Sequence, residues 1–461
     1  MPFSYHPPTG RICEVCEQLH AHDTTAPIIT SQNGKASSAN NFPFHNWYNF
    51  VLGYTPEFPE YMLKREGITS SDLVVDPFMG TGTTLVVCKN ASIPSSGVDA
   101  NDLMVDAARV KLNWDIDVQT LNICRDELLH DIEVLFRHYQ WESEIGQLSL
   151  FAHSAATQQD YRAVLQQRPK LLLEKYLSDK PFARATLIAE AIENRFGESS
   201  LRPFFDLALT AAIVPISNIR YGPGFGVVKP REDVDVFSIF ANRLQRMITD
   251  IESVAEEQKY TLASVQLGDA RQLSHYIEPN SASLMITSPP YAGDHEYTKH
   301  TKLELLFRGY ANDQAEIRAI KKRMIRGSTT NLYREDNDRE LINDMKSIGL
   351  ITDCIQQRLE EDGATSGFEK LYTKLVWEYF GGMSIALSEC FKVLRPGGKI
   401  ALLVSDSHAF KMVHIETAAI LEEIGLRLGY INPEIVLWQH KSSTSHRYSL
   451  RENILILQKP L

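Results

Sequence analysis

The sequence has little that would tie it to the outside of a cell. Its 6 cysteines are scattered over 461 residues, which excludes a disulfide scaffold as the main source of stability. No apolar run reaches the length needed to cross a bilayer. The opening stretch, MPFSYHPPTGR, has neither the charged nor the apolar part of a secretory signal. An intracellular protein is therefore expected. The chain also lacks a positive balance: 47 Lys and Arg stand against 58 Asp and Glu, a net charge of -11. That balance does not advertise nucleic acid binding, and it does not exclude it. It leaves room for a local basic groove, which is what phosphate contacts need. Clustered metal ligands are scarce as well. Cys13 and Cys16 are followed by His20 and His22, in the manner of a zinc knuckle. Four ligands so close together would crowd the ion, and no second cysteine pair follows. Two thiols in a loose tail account for the same residues, and no metal site is assigned.

What is present centres on Ser283 to Tyr291, SLMITSPPY. Leu284-Met285-Ile286 has the pattern of a short buried strand. Pro289 and Pro290 end it, because neither can donate a ladder hydrogen bond. They also stiffen the backbone, so the Ser288 hydroxyl and the Pro289 carbonyl are expected in fixed positions, with the flat ring of Tyr291 beside them. Acceptors next to an aromatic face suit a planar base that bears an amino group.

A second stretch, Leu73 to Thr84, reads LVVDPFMGTGTT. A buried strand is followed by Gly80 and Gly82, which allow a tight turn and close backbone approach to a ligand, and then by a segment able to form a helix. This is the strand, glycine loop and helix of a nucleotide site. A next strand, Ser96-Gly97-Val98, ends at Asp99. An acidic residue about 20 residues beyond the first strand either accepts from a ribose or caps the helix that follows near Asp102; the glycine loop upstream favours the ribose.

Together these stretches resemble motifs IV and I of the amino-methylating DNA methyltransferases, which read D/N/S-P-P-Y/F and DPFxGTGT. The resemblance covers about half the chain, roughly residues 42–110, 262–310 and 375–461. It implies an α/β Rossmann-like sheet of the class I methyltransferase type with a reversed last strand. It implies S-adenosylmethionine as cofactor, held by Asp76, Pro77, Phe78, Gly80, Gly82, Thr83 and Asp99. The aromatic run from Phe42 to Arg65 resembles motif X, which adds Trp47 and Tyr54. Asp269, after Gly268, resembles motif III, whose carboxylate accepts from the cofactor's adenine. Ser288, Pro289, Pro290 and Tyr291 are the implied catalytic residues. Ser288 and the Pro289 carbonyl would accept from the target amine, and Tyr291 would stack on a base taken out of the duplex. No Pro-Cys pair occurs, which disfavours carbon-5 methylation through a cysteine.

Serine at the head of motif IV is typical of cytosine-N4 enzymes, and Asp or Asn of adenine-N6 enzymes. The expected activity is cytosine-N4 methylation of double-stranded DNA. An adenine-N6 enzyme, an RNA base methyltransferase and a non-catalytic DNA-binding protein on the same fold remain as alternatives. The resemblance also implies a cytoplasmic, nucleoid-associated prokaryotic protein, and it admits a cognate restriction endonuclease as partner.

The rest of the chain divides by composition. Residues 1–41 end in a polar stretch and read as a flexible lead-in. Residues 42–110 and 262–461 form the expected catalytic domain. Residues 111–261 have helical periodicity where the third strand is due. They read as an inserted helical subdomain, serving as scaffold, DNA contact or lid. Within 295–345 lies the most basic stretch, with Lys299, Lys302, Lys321, Lys322, Arg323 and Arg326. It reads either as a solvated helix face or as a phosphate-contacting surface; its place directly after the base-binding motif favours the second.

Overall fold

The short apolar runs of the sequence become strands covered on both faces. The computed structural model describes residues 42–50, 52–140, 159–221, 225–254, 261–293, 295–363, 366–442 and 449–461. The lead-in, with Cys13 and Cys16, lies outside the described residues. One sheet contains β1 (Val74–Asp76), β2 (Ser95–Asp99), β3 (Ala263–Leu267), β4 (Ala282–Thr287), β5 (Leu394–Ser405), β6 (Ile431–Ser442) and β7 (Ser449–Gln458). Their order across the sheet is β6-β7-β5-β4-β1-β2-β3. β1 to β5 run parallel. β7 runs antiparallel to β5, and β6 antiparallel to β7. This is the reversed closing hairpin that the sequence led us to expect.

Side-chain alternation along each strand sorts the core into two layers. Val74, Leu284, Ile286, Ala401, Leu403, Ile454 and Ile456 point to one face. There they meet α1 (Glu57–Arg65) and α2 (Thr83–Asn90). Val75, Met285, Ile400, Leu402, Leu455 and Leu457 point to the other.

The remaining helices fall into two groups. α3 (Asp102–Leu112) follows β2. The inserted stretch supplies α4 (Val118–His138), α5 (Asp179–Phe196), α6 (Arg202–Ile216) and α7 (Val236–Val254). α8 (Lys302–Phe307) and α9 (Gln314–Lys322) follow β4. α10 (Lys346–Glu361), α11 (Tyr372–Val393) and α12 (Thr417–Arg427) cover the second face of the sheet. The insertion is not packed as a separate unit: its helices share one continuous apolar core with α3, α8 and α9. It is also not wholly helical, since it carries the antiparallel hairpin Ile219–Tyr221 and Phe225–Val227.

The chain runs outward from β1 through β2 to β3, then returns to place β4 on the other side of β1. Such a reversal opens a crevice at the carboxyl ends of the two strands. β1 pairs directly with β4, Val74 opposite Leu284 and Val75 opposite Met285. The loops after Asp76 and Thr287 are therefore neighbours, although far apart in sequence.

Candidate active site

Asp76 ends β1 and is fully buried. One carboxylate oxygen accepts from the Thr287 hydroxyl at 2.6 Å and from the Phe78 N–H at 3.1 Å. The other accepts from the Tyr54 hydroxyl at 2.6 Å. Tyr54 is also 2.5 Å from the Thr84 hydroxyl. Burial pushes the Asp76 carboxyl up to about 6, with these hydrogen bonds acting against it. The sequence placed Asp76 on the cofactor. The structure instead makes it the link among three stretches: the loop before α1, the glycine loop and the end of β4. It is absent from the residues that line the cavity.

That cavity lies over the carboxyl ends of β1, β2 and β4. Its walls include Tyr54, Pro77, Phe78, Gly80, Thr83, Asp99 and Ser288, all expected from the sequence. Asp99 accepts from the Gly80 N–H at 2.9 Å and from the Asn101 N–H at 2.8 Å. Burial pushes its carboxyl to about 6. The helix cap that Asp99 might have supplied is supplied by Asn101, whose side chain accepts from Leu103 N–H. Asp99 thus keeps its remaining acceptor capacity for a ligand, as a ribose requires.

Both loop glycines have positive φ, +51° at Gly80 and +82° at Gly82, but for different purposes. A Cβ on Gly82 would sit 3.0 Å from the Ala108 Cβ, so that glycine serves the packing of α2 on α3. A Cβ on Gly80 would meet nothing within 4 Å; Gly80 borders the cavity. A nucleoside-bearing cofactor fits this open cradle, with Asp99 for its ribose and Phe78, Met104, Met324 and Ile325 as apolar wall. Gly80→Val is expected to weaken cofactor binding about 10- to 100-fold, because its side chain would take space the cofactor needs and valine is strained at positive φ. Calorimetric titration should read that loss, and the strain at positive φ should lower the unfolding midpoint modestly. Unchanged affinity would remove the cofactor from this loop.

At the end of β4 the Ser288 hydroxyl donates to the Leu403 carbonyl on β5, 3.0 Å away, and lies 3.3 Å from the Tyr291 hydroxyl. Its proton is therefore engaged within the protein. Its lone pairs are left as the acceptor at the cavity wall. Pro289 is buried, Pro290 borders the cavity, and the Pro290 carbonyl accepts from Tyr379 on α11 at 2.8 Å. The Tyr291 N–H donates to the Tyr297 hydroxyl at 2.9 Å. The Tyr291 hydroxyl donates to Glu452 on β7 at 2.8 Å. Glu452 is 1% exposed and also accepts from Gln439 and Lys441 on β6. The Lys441 ammonium stands 5.7 Å from the centre of the Tyr291 ring. Burial, then Glu452, raises the Tyr291 hydroxyl well above its ordinary value, so it stays a neutral donor. Glu452 and Lys441 were missed by sequence reasoning, because nothing in a strand pattern marks a carboxylate as the holder of a distant tyrosine.

Three further expectations are corrected. Trp47 is 2% exposed; its indole N–H donates to Asp250 on α7 at 2.8 Å, and its ring meets Phe204 edge-on. It anchors the Phe42–Phe50 turn to the insertion and does not line the cavity. The Asp269 carboxylate is held by Arg271, with contacts of 2.7 to 3.1 Å, and Arg271 continues to Asp338. It caps the turn after β3, and its neighbour Ala270 is what reaches the cavity.

The third is the basic stretch, which is largely internally neutralised. Lys321 pairs with the buried Glu296, Lys322 with Glu335 and the buried Arg326 with Asp336. Arg323 bonds the Ala100 carbonyl and Asp102 and borders the cofactor cavity together with Met324 and Ile325. Lys302 lies over the Tyr176 ring, 5.9 Å from its centre. Lys299 remains exposed. Glu296, Glu335 and Asp336 lie within 295–345 itself, and Asp102 comes from outside it. Among the described residues no cluster of His, Cys, Asp and Glu could hold a metal ion, and no helix is long and apolar enough to cross a membrane.

A parallel sheet with this strand order and reversed hairpin, with a glycine loop and a buried carboxylate at its switch point, is the Rossmann-like sheet of the class I methyltransferase type. Comparison with known proteins narrows the class. A family model described as DNA methylase, of the N6/N4 type, matches residues 26–109. The Type II methyltransferase M.BsoBI of Geobacillus stearothermophilus is 23% identical over 464 residues, covering 91% of this chain and 86% of that protein. The Type II methyltransferase M.AvaI of Nostoc sp. is 19% identical, over 96% and 91% of the two chains. Among solved structures, a putative DNA modification methylase from Thermus thermophilus is 18% identical, with a TM-score of 0.21, over 42% of this chain and 52% of that one. The chain is thus similar over most of its length to Type II DNA methyltransferases, and its cofactor is S-adenosylmethionine.

Proposed function

We propose that this enzyme methylates the N4 amine of cytosine at a specific site in duplex DNA, as the modification half of a Type II system. The observation that carries the reading is the Ser288 hydroxyl, which gives its proton to Leu403 and so offers only lone pairs to the cavity. An exocyclic amine has a lone pair conjugated with its ring and is a poor nucleophile. Acceptors at Ser288 and at the Pro289 carbonyl would bind the amine's protons and turn its lone pair toward the methyl donor. That is a positioning effect as much as an electronic one. S-adenosylmethionine supplies the electrophilic methyl group on its sulfonium.

Tyr291, held by Glu452, offers its ring for stacking on the base, which must leave the duplex to reach this depth. Ser288, Pro289, Pro290 and Tyr291 are accordingly assigned as catalytic. Tyr54, Pro77, Phe78, Gly80, Thr83 and Asp99 are assigned to the cofactor, and Lys299 to a DNA phosphate. Serine at the head of the motif favours cytosine N4 over adenine N6. The test is mass analysis of nucleosides from duplex DNA incubated with enzyme and labelled cofactor. N4-methylcytosine is the expected product. N6-methyladenine would keep the mechanism and change the base, and 5-methylcytosine would overturn both.

A further inference from the structure

A second cavity adjoins the cofactor cavity. The two share Phe50, Gly53, Tyr54, Thr81 and Thr83 in their walls. The far side of the second is built by the insertion, from the end of α6 and the Ile219–Tyr221 strand, with Arg220 and Arg231 among its residues. The near side belongs to the Phe42–Arg65 stretch that resembles motif X, whereas no family motif covers the insertion's residues on the far side.

The cofactor's own chemistry says which end should meet this wall. On the proposed assignment its ribose would lie at Asp99 and its sulfonium methyl would face Ser288. The amino-acid end then runs past the glycine loop toward Thr81 and Thr83. It carries a carboxylate, which needs cationic or N–H donors when it leaves water. In the first cavity the cationic side chain is Arg323, which is engaged at the opposite end with Ala100 and Asp102. In the second, His45 is buried and held neutral, its value lowered to about 3 by burial and then by Lys111. Arg231 donates to the Pro215 carbonyl at 2.7 Å, closing the end of α6. Arg220 has no side-chain hydrogen bond or ion pair among the described residues. Its strand is nonetheless fixed. The buried Asn218 beside it bonds Tyr176 O, Val228 N and, through its side chain, Arg231 N and Ser178.

We propose that Arg220 is the partner of the cofactor's carboxylate, so that the insertion completes the methionine end of the S-adenosylmethionine site. This rests on the proposed placement of the cofactor between Asp99 and Ser288, but not on which base is methylated. The insertion then serves cofactor recognition, and a cofactor lacking the carboxylate should not sense Arg220.

The experiment is calorimetric titration of the full chain, without DNA, using S-adenosylmethionine and its decarboxylated analogue. Arg220→Ala is expected to weaken S-adenosylmethionine about tenfold, the scale of one charge-assisted hydrogen bond, and to leave the analogue within about twofold by the same reasoning. Arg220→Lys should recover part of the loss, because it keeps the charge and loses the fork geometry. Unchanged S-adenosylmethionine affinity overturns the proposal, and so does an equal loss with both ligands. If cofactor affinity holds while a separate DNA-binding measurement shows weaker affinity and a flatter salt dependence, Arg220 belongs to a phosphate contact and the proposal fails. Because no DNA is present in the titration, an error in the assigned base cannot produce any of its outcomes.

Discussion

Ser288→Ala is expected to lower the rate of methyl transfer about 100-fold, the scale seen when one preorganised polar contact is removed from a reacting centre. Cofactor affinity should stay within about twofold, since the hydroxyl addresses the amine and not the sulfonium. Single-turnover measurement with saturating DNA and cofactor separates the two. The variant also leaves the Leu403 carbonyl without the Ser288 donor, which costs about 1 kcal/mol of stability. A rate within threefold of the parent would mean that the acceptor lies elsewhere on the loop, with the Pro289 carbonyl next in line.

Asp76→Ala should be the most damaging single change for the fold of the site. It leaves the Thr287 hydroxyl, the Tyr54 hydroxyl and the Phe78 N–H without their carboxylate acceptor. Buried donors without acceptors cost about 1–3 kcal/mol each, and sites of this kind lose about 3–5 kcal/mol in all. Denaturant unfolding at neutral pH reads the loss. Cofactor affinity should fall with it, because the three stretches that Asp76 joins no longer hold one another.

Asp76→Asn is the gentler form and carries a pH signature. The parent carboxyl is raised by burial to about 6, whereas an unfolded aspartate titrates near 3.9. Folding thus takes up a proton between those values. The contribution is fully present below about pH 4 and is lost as pH rises through about 6. Asn, which does not titrate, removes that part of the slope. An unaltered stability profile between pH 4 and 6 in the Asn variant would show that Asp76 is not the group responsible.

The parts of this site that could be read in the chain are those whose chemistry is local. A strand, two glycines with positive φ and a helix must stand in sequence to make the cofactor loop. Two prolines must end β4 to fix Ser288. The parts that could not be read depend on partners far along the chain. Asp76 looks like a ligand for the cofactor until Thr287 and Tyr54 are seen to close around it. Asp269 follows a strand as a cofactor carboxylate would, yet Arg271, two residues on, holds it. Trp47 sits in an aromatic run, and aromatic composition does not distinguish the wall of a cavity from the core behind it. The run from Lys321 to Arg326 looks like a free basic face because Glu296, Glu335, Asp336 and Asp102 come from other elements. The insertion's shared core was hidden for a related reason: α3 and α8 have apolar faces that could equally have packed on one another.

The strand order has a consequence for how the molecule is made. β6 precedes β7 in the chain but joins the sheet only through it. While the chain is being synthesised, the open edge of β5 waits until the last strand arrives. That strand takes the inner place and brings β6 with it. Pairings of this kind form late, because contacts close in sequence are made first and a returning strand must close a long loop. Since Glu452 lies on β7 and fixes the Tyr291 hydroxyl, the tyrosine is set only when the sheet closes. The glycine loop, β1 and β2 lie early in the chain. In the order of assembly, the elements of cofactor binding come before the catalytic geometry, and a chain stalled short of β7 would lack the latter.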